Sequence, residues 1–267
     1  MEKQNISYEP GQRNKIFFAS DFHLGVPTRE HSLKREKLLV NWLDDIKQQA
    51  QAIYLMGDIF DFWFEYKTVI PKGFVRLLGK LAEITDSGIP VHLFKGNHDI
   101  WALNYLQQEA GIQLYHDRQI TQLGSKCFFL AHGDGLGPGD NGYKFMKKIF
   151  QNRFNQRLFR WLHPDLGARI AFYFSRRSRY ANELKEQKNG TPPVEEEPLY
   201  IFSQKMLKQH PSIDYFIFGH RHLPTNIKIG DKARMVILGD WITQFSYAEF
   251  DGDMLELKNY VGGDRET

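Results

Sequence analysis

The sequence predicts an α/β protein built on one mixed sheet or on two sheets packed face to face. Two observations lead to this prediction. In the first half, short runs of β-branched and aromatic residues alternate with segments whose apolar residues recur at helical spacing, which is typical of parallel strands joined by helices. In the last third, strand-like runs follow one another too closely for intervening helices, which favours antiparallel pairing.

In the first half, each predicted strand is an apolar run bounded by polar or glycine residues, and each predicted helix carries an apolar stripe. The predicted strands are 15–20, 52–57, 90–96, 112–115, 119–123 and 126–131. The predicted helices are 33–50, 73–87 and 100–110. In the last third, the predicted strands are 214–219, 225–230, 234–239, 242–250 and 254–257.

A segment of different character interrupts the strand series. Residues 141–185 are helical in pattern and contain no strand signal. Within 144–185 there are eleven Lys or Arg against two acids, and ten aromatic residues lie within 143–180. A polar, Pro-rich and acidic stretch follows and is typical of a loop. The predicted domains are a core formed by 14–140 and 199–260, a helical insertion at 141–185 and a loop at 186–198.

Composition limits the class of protein. The single cysteine, Cys127, lies in an apolar run, where we expect a buried thiol and no intrachain disulfide, and this favours a reducing compartment. The N-terminal residues lack the apolar region of a signal peptide, and no window approaches a membrane-spanning length. We therefore expect a cytoplasmic protein.

Polar residues stand at the ends of five strand-like runs, in the motifs SDFH, MGD, GNHD, AHGD and GHRH. In α/β sheets, ligands bind at the carboxyl ends of the strands, so residues far apart in sequence can meet there. The candidate metal ligands are Asp21, His23, Asp58, Asn97, His132, His220 and His222.

The chemistry of these seven side chains indicates two metal ions. Imidazole nitrogens together with hard oxygens suit Mn, Fe or Zn better than Ca. Seven ligands are too many for one ordinary first-row ion but suit two ions ~3.5–4 Å apart that share a carboxylate. Asp58 is the expected bridge because it follows a central strand. Two cations that share a water make it nucleophilic near neutral pH.

The ordered series of five motifs resembles that of the calcineurin-like metallophosphoesterases. The resemblance implies a four-layer αββα sandwich, in which two mixed β-sheets are flanked by helices, and a site for two divalent metal ions, with Mn²⁺ the expected ion. The residues implied to hold one ion are Asp21, His23, Asp58 and His222, and those implied to hold the other are Asp58, Asn97, His132 and His220.

His98 and Asp99 are the candidate catalytic residues. In the superfamily, a histidine at the position of His98 faces the substrate phosphate as an electrostatic stabiliser or general acid. Asp99 is expected to orient this imidazole, since a carboxylate commonly fixes the tautomer of a histidine. The alternative for Asp99 is a carboxylate that caps the turn.

The insertion sharpens the resemblance. The stretch AHGDGLGPGDNGYKFMKKIFQNRFNQRLFRWL looks like the start of the helical lid of the UDP-2,3-diacylglucosamine hydrolases of lipid A synthesis, and SRYANELK keeps that family's S-x-x-x-N-x-x-K spacing. Such enzymes release UMP and a diacylated sugar 1-phosphate by attack of water on the phosphorus nearest uridine. The residues implied to bind substrate are Asn97, His98, Asp140, Ser178, Asn182, Lys185 and His220. One departure is that the best-known members read GNRD where this chain reads GNHD.

The resemblance also implies partners and a location. The expected partners are a UDP-linked diacylated glucosamine and the anionic inner leaflet of a bacterial inner membrane, on whose cytoplasmic face the protein would lie peripherally. Neither a nucleic acid nor an obligate protein partner is expected.

Three alternatives remain open from the residues alone. The chain could hydrolyse another nucleotide or lipid phosphodiester, or it could be a nuclease whose basic insertion grips a nucleic-acid backbone. The aromatic residues cluster in helical runs rather than being spread for base stacking, which disfavours a nuclease. A metal-bound scaffold without activity is disfavoured because structural sites need fewer ligands.

The insertion could also be an ordinary helical subdomain whose aromatic residues form its own core.

Overall fold

The structure is a computed structural model that describes residues 5–6, 13–139, 141–175 and 193–261. In this part of the chain, the strands in sequence order are β1 Asn5–Ile6, β2 Lys15–Ala19, β3 Ala50–Leu55, β4 Val91–Phe94, β5 Gln113–Tyr115, β6 Gln119–Leu123, β7 Lys126–Leu130, β8 Tyr215–Phe218, β9 Thr225–Ile229, β10 Ala233–Ile237, β11 Ser246–Phe250 and β12 Leu255–Asn259.

The strands form two six-stranded sheets. One has the order β1-β6-β7-β8-β10-β9 and the other has the order β12-β11-β2-β3-β4-β5. In the second sheet, β2 to β5 are parallel, while β11 and β12 pair antiparallel. In the first sheet, β7, β8 and β10 are parallel, and β6 and β9 are antiparallel to their neighbours β7 and β10. Both sheets are therefore mixed, as the sequence predicts.

The helices flank these sheets and extend from one edge. Their bounds are α1 Arg29–Ile46, α2 Val75–Asp86, α3 Tyr105–Ala110, α4 Asn141–Gln151, α5 Arg153–Phe159, α6 164–175 and α7 Pro198–Gln209, with a one-turn 3₁₀ helix at Val194–Glu196. Among the described residues, no helix is both long and apolar enough to cross a membrane.

Alternation of side chains along the strands builds three apolar layers. In β2, Phe17 packs with Trp42 of α1, whereas its neighbour Phe18 points between the sheets and stacks on Phe128 with ring centroids 5.8 Å apart. In β7, Phe129 faces the opposite way and packs with Leu199 of α7. Full burial of each such side chain contributes ~1.5–3 kcal/mol relative to exposure. These layers give the order helix, sheet, sheet, helix and confirm the four-layer sandwich.

The main difference from the sequence prediction is α7, a helix that was not expected. Its buried residues Leu199, Ser203 and Met206 recur at helical spacing, and Pro198 occupies the first turn, where proline is tolerated. The apolar stripe is narrow and follows a polar loop, so the pattern is easily read as a continuation of that loop.

Two predicted elements are shorter because buried carboxylates cap their ends. The carboxylate of Glu65 accepts hydrogen bonds from the backbone N–H groups of Leu103, Asn104 and Tyr105, so α3 begins only at Tyr105. The carboxylate of Asp240 likewise accepts hydrogen bonds from the backbone N–H groups two and three residues after it. The start of the predicted 242–250 strand therefore folds into a turn. Strand β11 therefore begins at Ser246.

Cys127 lies in β7 and is half-buried rather than fully buried. Its side chain packs beside the cluster formed by the first sheet and α7. The thiol thus acts as a small apolar residue at the margin of the core.

His92 of β4 makes folding sensitive to acid. Its ring stacks on Tyr54 with centroids 4.2 Å apart, Nδ1 lies 3.1 Å from the hydroxyl of Tyr115, and Nε2 is buried without a hydrogen-bond partner among the described residues. Burial lowers the pKa of His92 to about 4. Since an unfolded histidine titrates near ~6.5, the unfolded chain binds more protons between these values. Stability from this residue is therefore complete above ~6.5 and falls as the pH drops towards 4.

We expect the free energy of unfolding of the metal-free protein to fall less between pH 7 and pH 4 in His92→Gln than in the natural chain. The difference is on the order of 3 kcal/mol, because the glutamine cannot gain a proton. Urea denaturation at both pH values measures it. His163→Gln, which replaces an exposed histidine, is the control and retains the natural pH dependence. Identical pH dependence in His92→Gln and the natural chain would contradict the prediction.

Candidate metal centre

The polar residues predicted at strand ends converge at one edge of the two sheets. Asp21 lies two residues beyond β2, Asp58 three beyond β3, and Asn97 three beyond β4. His132 and His220 each lie two residues beyond β7 and β8 of the other sheet. The centre therefore lies where the carboxyl ends of parallel strands from both sheets meet.

The backbone at these positions is unusual. Asp21, His23, Asp58, His220 and His222 have φ values of 58°, 44°, 54°, 67° and 52°. Non-glycine residues rarely adopt this left-handed region, and such strain collects at functional sites. Backbone hydrogen bonds hold the turns together, because the amides of Asp21 and His23 donate to the carbonyls of Gly57 and Asp58 at 3.0 and 2.9 Å.

One group of ligand atoms belongs to Asp21, His23 and His222. Nε2 of His222 lies 3.1 Å from Oδ1 of Asp21, and Nε2 of His23 lies 3.6 Å from the same oxygen. The two Nε2 atoms are themselves 3.1 Å apart. These three side chains point their ligand atoms at a common volume, as a cation site requires.

A second group comprises Asp58, His132 and His220, whose ligand atoms all lie within 4.8 Å of one another. Nε2 of His132 is 3.3 Å from Oδ2 of Asp58 and 3.3 Å from Oδ1 of Asn97. Oδ2 of Asp58 also lies 3.8 Å from Nε2 of His23 in the first group. Asp58 thus stands between the two groups, where a bridging carboxylate would lie.

The residues present fit a pair of divalent cations. Oδ1 of Asp21 is buried and accepts no hydrogen bond from the described residues, as expected of an atom that ligates a cation. Nδ1 of His132 lies 2.7 Å from the carbonyl oxygen of Met56 and must carry the proton, so Nε2 keeps a lone pair for a metal. Gly96 leaves room for this arrangement, since a Cβ there would overlap the carboxylate of Asp58.

Opposite charges in the centre shift the pKa values of its histidines. Burial alone would lower the pKa of His132, but the Asp58 carboxylate overcomes this and raises it to about 10. Burial likewise opposes protonation of His23, yet the nearby carboxylates of Asp21 and Asp61 raise its pKa to about 9. Burial and the neighbouring His132 lower the pKa of His220 to about 4. Metal binding must therefore displace protons from His23 and His132, so metal affinity falls as the pH is lowered.

A model of the family described as calcineurin-like phosphoesterase matches residues 14–224. The chain belongs to the calcineurin-like phosphoesterase family. The resemblance predicted from the five ordered motifs is confirmed, and the paired clusters fit the dinuclear metal site that calcineurin-like phosphoesterases use.

Relatives share most of the chain. A protein from Porphyromonas gingivalis named UDP-2,3-diacylglucosamine hydrolase is 39% identical over 92% of this chain and 98% of its own length. A protein of the same name from Pseudomonas putida is 28% identical over 85% of this chain and 90% of its own. Among solved structures, a dimetal phosphatase from Danio rerio is 15% identical with a TM-score of 0.45, covering 93% of this chain and 96% of that one.

In this calcineurin-like phosphoesterase, His98 stands beside both groups of ligands. Its backbone N–H donates to Oδ1 of Asp58 at 2.8 Å. Its Nδ1 lies 2.9 Å from the carbonyl oxygen of Asp61 and 3.6 Å from that residue's Oδ1. Because a carbonyl oxygen only accepts, Nδ1 carries the proton, and Nε2 remains for a ligand.

The carboxylate beside His98 is that of Asp61, not the predicted Asp99. Asp99 accepts hydrogen bonds from the backbone N–H groups of Gly96 and Ile59 at 2.7 and 2.8 Å, so the alternative of a turn-capping carboxylate describes its contacts. Burial and the charge of Asp58 raise the pKa of Asp99 to about 6. The orienting position predicted for Asp99 is thus corrected to Asp61.

The structure adds supporting residues to the predicted set. The hydroxyl of Ser175, in α6, donates to Oδ2 of Asp61 at 3.1 Å. Arg35 donates to the backbone carbonyl of His23 at 2.9 Å and supports its strained turn. Asp240 faces Nδ1 of His222 at 3.6 Å. Asp61 had a detectable signal in the GDIFD stretch, where two carboxylates follow one strand end, but Ser175 and Arg35 had none.

The predicted substrate contacts divide into two sets. Asn97, His98 and His220 lie in the centre described above. The others, which are Asp140, Ser178, Asn182 and Lys185, lie outside the described residues. Their roles, like the boundaries of the predicted insertion, stay predictions.

Proposed function

We propose that this protein hydrolyses UDP-2,3-diacylglucosamine to UMP and 2,3-diacylglucosamine 1-phosphate. The observation that carries the proposal is the 39% identity, over nearly the whole of both chains, to a relative named UDP-2,3-diacylglucosamine hydrolase. The donor set of the metal centre is that of a phosphoester hydrolase, which agrees with this substrate.

The side chains of the centre would hold two divalent ions, with Mn²⁺ the proposed metal. Those for the first ion are Asp21, His23, Asp58 and His222, and those for the second are Asp58, Asn97, His132 and His220. When bound, such a pair supplies a water of lowered pKa and neutralises phosphoryl oxygens.

His98 is the proposed catalytic residue, and Asp61 positions it. The Asp61 carbonyl accepts a hydrogen bond from Nδ1–H, so the protonated ring directs its Nε2–H group at a phosphoryl oxygen of the substrate. A positively charged or hydrogen-bonding group at this position stabilises charge that grows on phosphorus-bound oxygens in the transition state. Ser175 donates to Oδ2 of Asp61 and thereby connects α6 to the pair formed by Asp61 and His98.

Helices α4 to α6 are the proposed lid for the acyl chains. No residue of α4 or α5, both fully described, is buried, so these two helices contain no closed core of their own. Some lid aromatics pack on the core domain, as Phe172 does on Phe62 with ring centroids 5.8 Å apart. Others remain exposed, including Phe154 at 66% and Trp161 at 89%. Exposed aromatic residues among Lys and Arg suit an anionic lipid surface, so we place the protein peripherally on the inner leaflet.

We expect replacement of the exposed aromatics to impair acylated substrates selectively. In Phe154→Ser/Trp161→Ser, the kcat/KM for UDP-2,3-diacylglucosamine in vesicles falls about tenfold or more, because apolar contact with the lipid is lost. The loss for the soluble bis(p-nitrophenyl) phosphate is much smaller. Val75→Ser, which removes an exposed valine of α2, is the control. Equal losses on both substrates would indicate a general folding defect and contradict a lipid-facing lid.

The direct test of the function is release of UMP. Purified protein loaded with Mn²⁺ is expected to release UMP and the diacylated sugar 1-phosphate from UDP-2,3-diacylglucosamine, and EDTA is expected to stop the reaction. Chromatography of the nucleotide product measures it. Cleavage of DNA without release of UMP would overturn the proposal in favour of a nuclease.

A further inference from the structure

A polar cavity of about 410 Å³ opens beside the second group of metal ligands. One wall is the end of β4 at Lys95, and another is the loop of residues 116–118 between β5 and β6. His132 and Gly133 form its inner end, and Lys147 of α4 contributes from the lid. Its volume lies within the range of ~300–1,000 Å³ that small-molecule sites occupy.

The cavity carries an excess of positive charge. Lys95 and Arg118 line it, and neither forms an ion pair with a carboxylate among the described residues, although the charges of Asp99, Glu65 and Asp117 act on Lys95 from a greater distance. Lys147 is different, because it pairs with Asp134 at 2.6 Å, and that pair is internally neutral. The remaining carboxylate of the lining is Asp117, on the exposed loop. Two cations that form no ion pair within the described part of the chain, beside a metal pair, make a site for an anion.

We propose that this cavity binds the nucleoside monophosphate part of the substrate, which leaves as the nucleotide product. The inference rests on the proposed function and assigns one end of its substrate to a named site. The acyl chains have their own apolar surface in the exposed lid aromatics Phe154 and Trp161, and the lid contacts the core domain beside the first group of ligands, where Ser175 donates to Asp61. A substrate whose phosphates lie over both groups then extends its other end towards the second group and this cavity.

The lining matches a nucleoside better than a lipid. Lys95 and Arg118 offer charged donors to a phosphate. The carboxylate of Asp117 is the type of acceptor that binds ribose hydroxyls in nucleotide sites. The ring of His116 offers a flat surface to a pyrimidine base. An acyl chain would leave each of these polar groups without a partner, at a cost that disfavours its binding.

The test is titration calorimetry with UMP on the Mn²⁺-loaded full chain. In Lys95→Met/Arg118→Ala, the dissociation constant of UMP is expected to rise about tenfold or more, while the content of bound Mn²⁺ is unchanged. Lys148→Met removes an exposed lysine at the position after Lys147, outside the cavity lining, and is expected to bind UMP as the natural chain does. Because Arg118 lies on an exposed loop, Arg118→Ala alone is a second variant that is expected to keep the fold.

Three results would overturn the inference. UMP affinity could be unchanged in both cavity variants, it could fall only together with loss of bound metal, or it could fall as much in Lys148→Met. The second result would mean that the substitutions act on the metal centre alone. Failure of the proposed function is distinguishable, because it appears as absence of UMP release from UDP-2,3-diacylglucosamine while UMP binding keeps its dependence on Arg118.

Discussion

Asp58→Asn is expected to lower kcat for phosphodiester hydrolysis at least about 10³-fold and to reduce bound metal below two ions per chain. Residues that only support metal ligands already change affinity or activity by ~10–100-fold, so loss of a shared ligand must cost more. Asp58 lies within 3.3 Å of His132 in one group and 3.8 Å of His23 in the other, so its oxygens serve both. An amide retains the shape of the side chain but loses the charge that offsets two cations.

Metal analysis and steady-state kinetics on the same preparations check this prediction. Asp86→Asn, at the exposed end of α2, is the control and keeps both metal content and kcat. If Asp58→Asn retained two ions and most of its activity, a bridging role would be excluded. The assignment of one ion to each group of ligands would then have to be abandoned.

The metal centre could be predicted from sequence because each part of it obeys a local rule. Asp21 and Asp58 follow apolar runs that are plainly strands, and parallel strands present their carboxyl ends at one edge. No knowledge of tertiary contacts was needed to place these residues together. The same reasoning worked for His132 and His220, which follow parallel strands of the other sheet.

Only the three-dimensional structure distinguishes Asp61 from Asp99 as the carboxylate that faces the His98 ring. Both residues lie near His98 in the predicted site, and Asp99 is adjacent in sequence. In the structure, Asp99 is turned to the backbone amides of Gly96 and Ile59, which occupy both of its oxygens. Asp61 reaches the ring because the turn after β3 packs against the turn after β4. Sequence distance therefore gave no guide to which carboxylate faces the imidazole.

The packing of the lid helices also could not be predicted from the sequence. Composition indicated basic, aromatic helices, and it could not separate residues that face the core domain from those that face solvent. In the structure, Phe159 packs on Phe64 with ring centroids 4.7 Å apart, whereas Trp161, two residues later, is 89% exposed. The distinction depends on where Phe64 and Trp101 of the core domain meet the helices. A helical pattern within one segment contains no information about that partner surface.

His98→Ala is expected to lower kcat by about 10²–10⁴-fold without loss of metal, within the range of catalysis by a positioned proton donor. The backbone N–H of His98, which holds Asp58 at 2.8 Å, remains in the alanine variant, so the ligands keep their places. His210→Ala, which removes an exposed histidine at the end of α7, is the control and keeps full activity. A loss of both metal and activity in His98→Ala would instead indicate a structural role.

Asp61→Asn separates the positioning of His98 from its chemistry. Burial lowers the pKa of His98, and the Asp61 carboxylate opposes this by favouring the charged imidazole, so removal of that charge lowers the pKa further. If His98 acts in its protonated form, the rate declines once the pH exceeds this pKa, and the alkaline limb of the pH–rate profile moves to lower pH in the variant. A merely structural carboxylate would reduce the rate and leave the limb in place. Profiles of kcat against pH for the natural chain and Asp61→Asn, measured at saturating metal, therefore distinguish these two roles. They also decide whether the Asp61 carboxylate that Ser175 of the lid contacts forms a catalytic pair with His98.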